Sequence, residues 1–472
     1  MSALMVQGVS SDAGKSLLVT ALCRWAHRRG MKVAPFKAQN MSNNARVVDG
    51  GEIGTAQWLQ AIAAGAHPDV RMNPVLLKPE SETISQVVLN GVVSEEFTGA
   101  PWRERSTRLW PYVTEAFRAL SEEFDVLIIE GAGSPAETNL WTSDIVNMAV
   151  ADLAEAPVLL VADIDRGGAF AHLYGTWALL PPAWQRRIEG FVLNKFRGDL
   201  DLLAPAPEDL EKATGVPTIG VLPWLEHGLP DEEGPTVLVN SGSGPRVSIV
   251  CGPYASNLDE FVQLQQVSNV DWVRTVDQLA DADLIVLPGS KHVASDLAWL
   301  RETGLADAIV SAAHHGIAVL GICGGLQMLG QRIEDPAHIE GEVVGLGLLP
   351  VATHYETSKR TAHASVHLGP MAPPWSWLGE RKVSGYEIRH GVTRASEAVE
   401  LAPDGLAYGR GSVLGLYVHG VFEDPIVLKA FSGAIPADLD ATLDRLADAV
   451  EEHLDTAWLL GRLERKPGHG PR

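Results

Sequence analysis

Gly8-Val9-Ser10-Ser11-Asp12-Ala13-Gly14-Lys15-Ser16 decides how the first half of this chain is read. The stretch follows the apolar run Leu4-Met5-Val6 and precedes Leu17-Leu18-Val19-Thr20-Ala21-Leu22, which reads as the start of a helix. A strand, a glycine loop, Lys-Ser and a helix form the arrangement that binds nucleotide phosphates. Backbone N–H groups of the loop and helix N-terminus face the anion, Lys15 adds positive charge, and the Ser16 hydroxyl can ligate magnesium. Gly8, Ser11, Gly14, Lys15 and Ser16 are therefore candidate nucleotide-binding residues. The spacing departs from the usual pattern, with five residues in place of four between Gly8 and Gly14. A glycine-punctuated turn that binds nothing is the competing reading, and the strand-to-helix context weighs against it.

Working outward, Phe124-Asp125-Val126-Leu127-Ile128-Ile129 is a continuous apolar run of the buried, parallel-strand kind, and it ends at Glu130. A carboxylate at that strand end lies beside the phosphate loop, where it can hold magnesium directly or through water. Pro157 to Ala162, Gly190 to Leu193 and Gly215 to Pro223 supply further strands, each followed by polar residues such as Asp163-Ile164-Asp165-Arg166 or Asn194-Lys195. Strands alternating with helical segments predict a doubly wound parallel sheet with ligands beyond the strand C-termini. Asn194 is a candidate reader of an adenine edge. Lys37-Ala38-Gln39-Asn40-Met41-Ser42-Asn43-Asn44 is dense in side-chain amides. Amides donate and accept, so the loop suits a ligand carrying carboxylates and carboxamides, or else it is a polar turn.

A polar, turn-rich segment around residues 232–246 marks a domain boundary, giving domains at 1–232 and 246–460 with a flexible tail at 461–472. Arg246-Val247-Ser248-Ile249-Val250 opens a second strand series, so the second half is also α/β. Gly321-Ile322-Cys323-Gly324-Gly325-Leu326-Gln327 places a thiol at a sharp strand-to-helix turn. The helix N-terminus lowers a thiol pKa there and offers N–H donors to an oxyanion. Cys23 and Cys251 lack such an elbow and read as buried structural thiols. The base for Cys323 is expected to be His419, at the end of the apolar strand Leu414 to Val418, with His390 as its competitor.

At 472 residues the chain exceeds one core, and its 46% hydrophobic and 20% charged residues suit a globular protein. A net charge of −22 argues against nucleic-acid binding but leaves room for a small anionic substrate in a basic pocket. Three scattered cysteines give no disulfide framework. The absence of a signal peptide and of any apolar run near ~20 residues predicts a cytoplasmic enzyme without membrane insertion.

With both motifs in place the chain resembles the cobyric acid synthase family, glutamine-dependent corrinoid amidotransferases of cobalamin biosynthesis, over nearly its whole length. Gly8 to Ser16 is similar to a dethiobiotin-synthetase-like phosphate loop, which has the longer spacer. Pro35 to Asn44, Met72 to Pro79 and Ala162 to Gly168 match the family, and the second half resembles a class I glutaminase. The resemblance implies Cys323 as nucleophile and His419 as base, with Gly289, Gly324 and Gln327 at the oxyanion and glutamine. It also implies Lys37, Gln39, Asn40 and Asn43 at the substrate, and Ser16 with Glu130 at Mg2+. ATP and L-glutamine are the implied co-substrates, and cobalt enters only as part of the corrinoid. The implied reaction is amidation of the b, d, e and g carboxylates of adenosylcobyrinic acid a,c-diamide. Triad glutaminases usually carry a glutamate two residues after the histidine; here Val421 stands there and Glu423 is out of register. A Cys–His dyad is therefore expected, with any third member open. The alternatives are an a,c-diamide synthase or related amidotransferase, and a phosphate-loop switch whose glutaminase-like half is inactive.

Overall fold

The computed structural model describes residues 1–79, 85–231, 242–279, 281–336, 338–397, 399–402 and 405–464. Its apolar runs become strands because a strand covered on both faces must be apolar on both. Six of them make a fully parallel sheet in the order Thr218–Pro223, Ile188–Phe196, Val158–Asp163, Ser2–Gly8, Val126–Glu130, Val33–Phe36. Ser2–Gly8 lies in the middle, and Val6 pairs with Glu130. The phosphate loop and the acid thus leave neighbouring strands at the same edge. Helix α1 (Lys15–Arg28) starts directly after Gly14, whose φ of 92° is open to glycine. Helix α2 (Thr55–Ala63) packs beside α1.

The second sheet runs Asn269–Val273, Arg246–Val250, Leu284–Leu287, Ala318–Ile322, Val413–Leu416, Ala407–Arg410. It is parallel except for the last pair. A long antiparallel hairpin, Val351–His367 with Lys382–Ala395, stands beside it. Two α/β units with separate apolar cores follow.

The expected partition needs one correction. Helices Leu439–His453 and Thr456–Leu463 pack on the first unit, although a second domain to 460 and a tail from 461 were expected. Leu443, Leu446 and Val450 join the cluster of Leu4, Val6, Leu18 and Leu22. Arg24 pairs with Asp444 at 2.8 Å and Arg28 with Asp448 at 2.7 Å across this contact. An amphipathic helix buries its apolar stripe on whichever core offers one, irrespective of sequence distance. Most of the expected boundary, and residues 465–472 of the expected tail, lie outside the described residues.

Candidate active site

Two constellations form, one at each sheet. At the first, Lys15 Nζ donates to Ser10 O at 3.0 Å and to Gly133 O at 3.4 Å, folding the ammonium into the loop. Gly8 is required by closeness: a Cβ there would meet Ser10 O at 2.8 Å and Lys15 Nζ at 3.0 Å. Ser16 Oγ donates to Glu130 Oε1 at 2.8 Å. Glu130 is fully buried and also takes hydrogen bonds from Lys37 Nζ at 2.8 Å and Gln60 Nε2 at 2.5 Å. Asn194 Nδ2 donates to Ala13 O at 2.9 Å, so its amide braces the loop backbone.

Lys15, Ser16, Lys37 and Asn194 open on a cleft of about 980 Å³ lined also by Ser11, Gln39, Asn40, Trp224 and Arg445, with Glu130 buried behind them. That volume suits a nucleotide with part of a second ligand. Asn40 is buried, and its Nδ2 donates to Gln57 Oε1 at 2.9 Å. Asn43 turns a buried Oδ1 that meets no protein donor, and it does not line the cleft. Lys37 reaches Glu130, so its charge serves the acid at the phosphate loop.

At the second sheet, Cys323 adopts φ 51° and ψ −105° at the turn into helix Gly324–Leu329. Such backbone strain in a non-glycine residue is characteristic of functional turns. The flanking glycines are steric necessities: a Cβ on Gly325 would meet Leu287 O at 1.9 Å, and one on Gly324 would meet Ser290 N at 2.7 Å. A Cβ on Gly289 would meet His419 Cε1 at 2.9 Å, so its backbone borders the imidazole. Gln327 is buried, with Oε1 taking a hydrogen bond from Tyr355 Oη at 3.0 Å and Nε2 donating to Tyr417 Oη at 3.3 Å.

The Cys323 thiol donates to Ile388 O at 3.4 Å, and it is near enough to His419 to bear on the charge of the imidazole. His419 Nδ1 lies 2.8 Å from Glu260 Oε1, and the other carboxylate oxygen accepts the Gly420 N–H at 2.8 Å. Burial alone would lower the His419 pKa, but the Glu260 charge and the Cys323 thiol outweigh it and push it up to about 10. A carboxylate therefore partners the imidazole expected to serve Cys323, filling the place that the sequence reading left open. That carboxylate is not Glu423, which pairs with Arg46 instead. The sequence reading did not pick out Glu260. The available signal was an acidic pair, Asp259-Glu260, soon after the first strand of the second unit.

His390 does not share this environment: burial and then Lys359 hold its pKa down to about 4. It lines a separate cavity of about 530 Å³ between the two units, with Glu52, Gln86 and Lys359. Cys23 is buried in α1, and burial followed by the Glu130 charge pushes its thiol far up, which leaves it inert.

Residues 4–233 match the CobQ/CobB/MinD/ParA nucleotide binding domain, and residues 246–426 match the CobB/CobQ-like glutamine amidotransferase domain. A cobyric acid synthase of Variovorax paradoxus (strain S110) is 56% identical, covering 97% of this chain and 98% of its own. The chain belongs to the cobyric acid synthase family. A second member, from Polaromonas sp. (strain JS666), is 53% identical and covers 97% of each chain. Membership makes this a nucleotide-binding, glutamine-dependent amidotransferase of the α/β architecture described above. No helix among the described residues is long and apolar enough to cross a membrane.

Proposed function

We propose that the chain uses ATP and glutamine to convert the b, d, e and g carboxylates of adenosylcobyrinic acid a,c-diamide to carboxamides, giving adenosylcobyric acid. A carboxylate is a poor electrophile, so ATP first turns it into an acyl phosphate in the cleft beside Lys15 and Ser16. Ser16 lines the phosphate-loop end of the cleft, with the buried Glu130 carboxylate hydrogen-bonded behind it, and these hard oxygen donors would hold Mg2+, Ser16 directly and Glu130 from behind. Bound there, the ion would neutralise phosphate charge. Lys15 and the loop N–H groups place the phosphates, while Asn194 keeps the loop in shape.

Cys323 gives its thiol proton to His419 and attacks the glutamine amide carbon, and backbone N–H groups at Gly289 and Gly324 receive the oxyanion. The His419 imidazolium gives its proton to the departing ammonia. The neutral imidazole then takes a proton from the water that cleaves the thioester, releasing glutamate. Glu260 fixes the imidazole orientation and favours its charged form. Ammonia released at the second unit attacks the acyl phosphate at the first.

One observation carries this reading: Cys323 near the His419–Glu260 pair at one sheet, and Lys15, Ser16 and Glu130 gathered at the other, lie in one chain of this family. The test is mass spectrometry of corrinoids incubated with protein, ATP and glutamine, following the mass change per added amide. The a,c-diamide should gain amides stepwise, and cobyrinic acid should not be converted to it. Conversion of cobyrinic acid in place of its diamide would overturn the substrate assignment.

A further inference from the structure

The His419–Glu260 pair is braced by the nucleotide-binding unit. Glu260 lies within the turn Leu258–Phe261, and the residues just before it are held by chain that belongs to the other half. Leu258 N donates to Asn44 Oδ1 at 3.2 Å, and Asn257 Nδ2 donates to Ala45 O at 2.8 Å. Thr55 Oγ1, at the start of α2, donates to Asp259 Oδ2 at 3.2 Å.

Arg46 occupies the middle of this contact. Its guanidinium is buried and makes charged hydrogen bonds to Asp259 at 2.5 Å and to Glu423 at 2.7 Å. Asp259 precedes Glu260, while Glu423 lies four residues past His419. One cation therefore ties together the two pieces of chain that carry the acid and the base. The same guanidinium lies 5.4 Å from the Tyr386 ring, which stacks on the His419 imidazole at 5.2 Å and 14°. Asn257 Nδ2 fixes the Tyr386 hydroxyl at 2.9 Å. A planar guanidinium can hold two carboxylates in fixed directions, whereas a single ammonium cannot hold them equally well.

We infer that Arg46, supplied by the nucleotide-binding unit, is a positioning residue for the glutaminase site, setting the Glu260–His419 geometry from outside that domain. Arg46 follows the amide-rich loop Gln39–Asn44, part of which lines the cleft, so glutamine hydrolysis is tied to the unit that consumes ammonia. The inference rests on the reading of Cys323 and His419 as nucleophile and base.

The test uses the full chain, with glutamate release from L-glutamine and ammonium-driven amidation measured side by side. Arg46→Met should lower kcat for glutamate release by about tenfold to a hundredfold, the size expected when a catalytic group is misplaced by about 1 Å. KM for glutamine should stay within about twofold, and ammonium-driven amidation should be retained. Arg46→Lys should recover part of kcat, and Thr55→Val should give the same pattern on a smaller scale. These two conservative changes decide the matter if Arg46→Met does not fold. Equal loss of both activities, or loss of neither, would overturn the positioning role. Cys323→Ser run alongside separates the two claims. If it keeps glutamine use, the nucleophile assignment fails and this inference falls with it. If it loses glutamine use while the Arg46 variants keep it, only the positioning role fails.

Discussion

The imidazole of His419 is oriented by a carboxylate 159 residues away in the chain, with Glu260 Oε1 2.8 Å from Nδ1. The triad register that Val421 leaves empty is thus supplied from the opposite end of the domain. Glu260→Gln keeps the shape but lets the side chain present an N–H to Nδ1, which favours the wrong tautomer. Glutamine-dependent amidation should fall by on the order of a hundredfold, less than for a serine nucleophile because a thiol ionises more readily. Removing a charge that favours the imidazolium lowers the His419 pKa from about 10. The imidazolium should therefore be lost at lower pH, so the alkaline limb of glutamate release moves to lower pH in Glu260→Gln. An unmoved limb would show that Glu260 does not set the charge state of His419.

Val421→Glu tests the same site from the other side. Val421 is fully buried, and Glu260 already occupies both Nδ1 of His419 and the Gly420 N–H. The added carboxylate finds no partner and costs a few kcal/mol in desolvation, or takes up a proton. Glutaminase activity should not rise, and thermal unfolding should come earlier. A gain in glutamate release would mean that the native acid is poorly placed.

Lys15→Ala removes the ammonium that the loop folds over the phosphate position. Amidation from glutamine and from ammonium should both drop by about a hundredfold or more, because a preorganised electrostatic partner of the transferring phosphoryl group is gone. Glutamate release in the absence of ATP should remain. Retained amidation with ammonium would remove Lys15 from the mechanism.

Leu443→Ala addresses the C-terminal helices. Leu443 is fully buried between Leu439–His453 and the first core. The truncation should cost about 3 kcal/mol in denaturant unfolding. It should also weaken ammonium-driven amidation near the midpoint before it affects glutamate release, since it is the nucleotide-binding unit that is loosened. Unchanged stability would place this helix outside the first core.

Local pattern determined a good deal on its own. Gly8 to Ser16, Glu130 after its apolar run, and Cys323 between glycines are each legible because a strand end, a sharp turn and a helix start need particular residues at neighbouring positions. Periodicity and apolar runs likewise predict two parallel α/β units. Three things were decided only by tertiary structure. Glu260 reaches His419 through a turn that nothing in its own neighbourhood marks as catalytic, since carboxylate–imidazole pairing requires proximity in space and no sequence spacing. Leu439–His453 covers the first core because an apolar stripe carries no address. Arg46 meets Asp259 and Glu423 because a buried cation has to find its counter-charges wherever the fold brings them together.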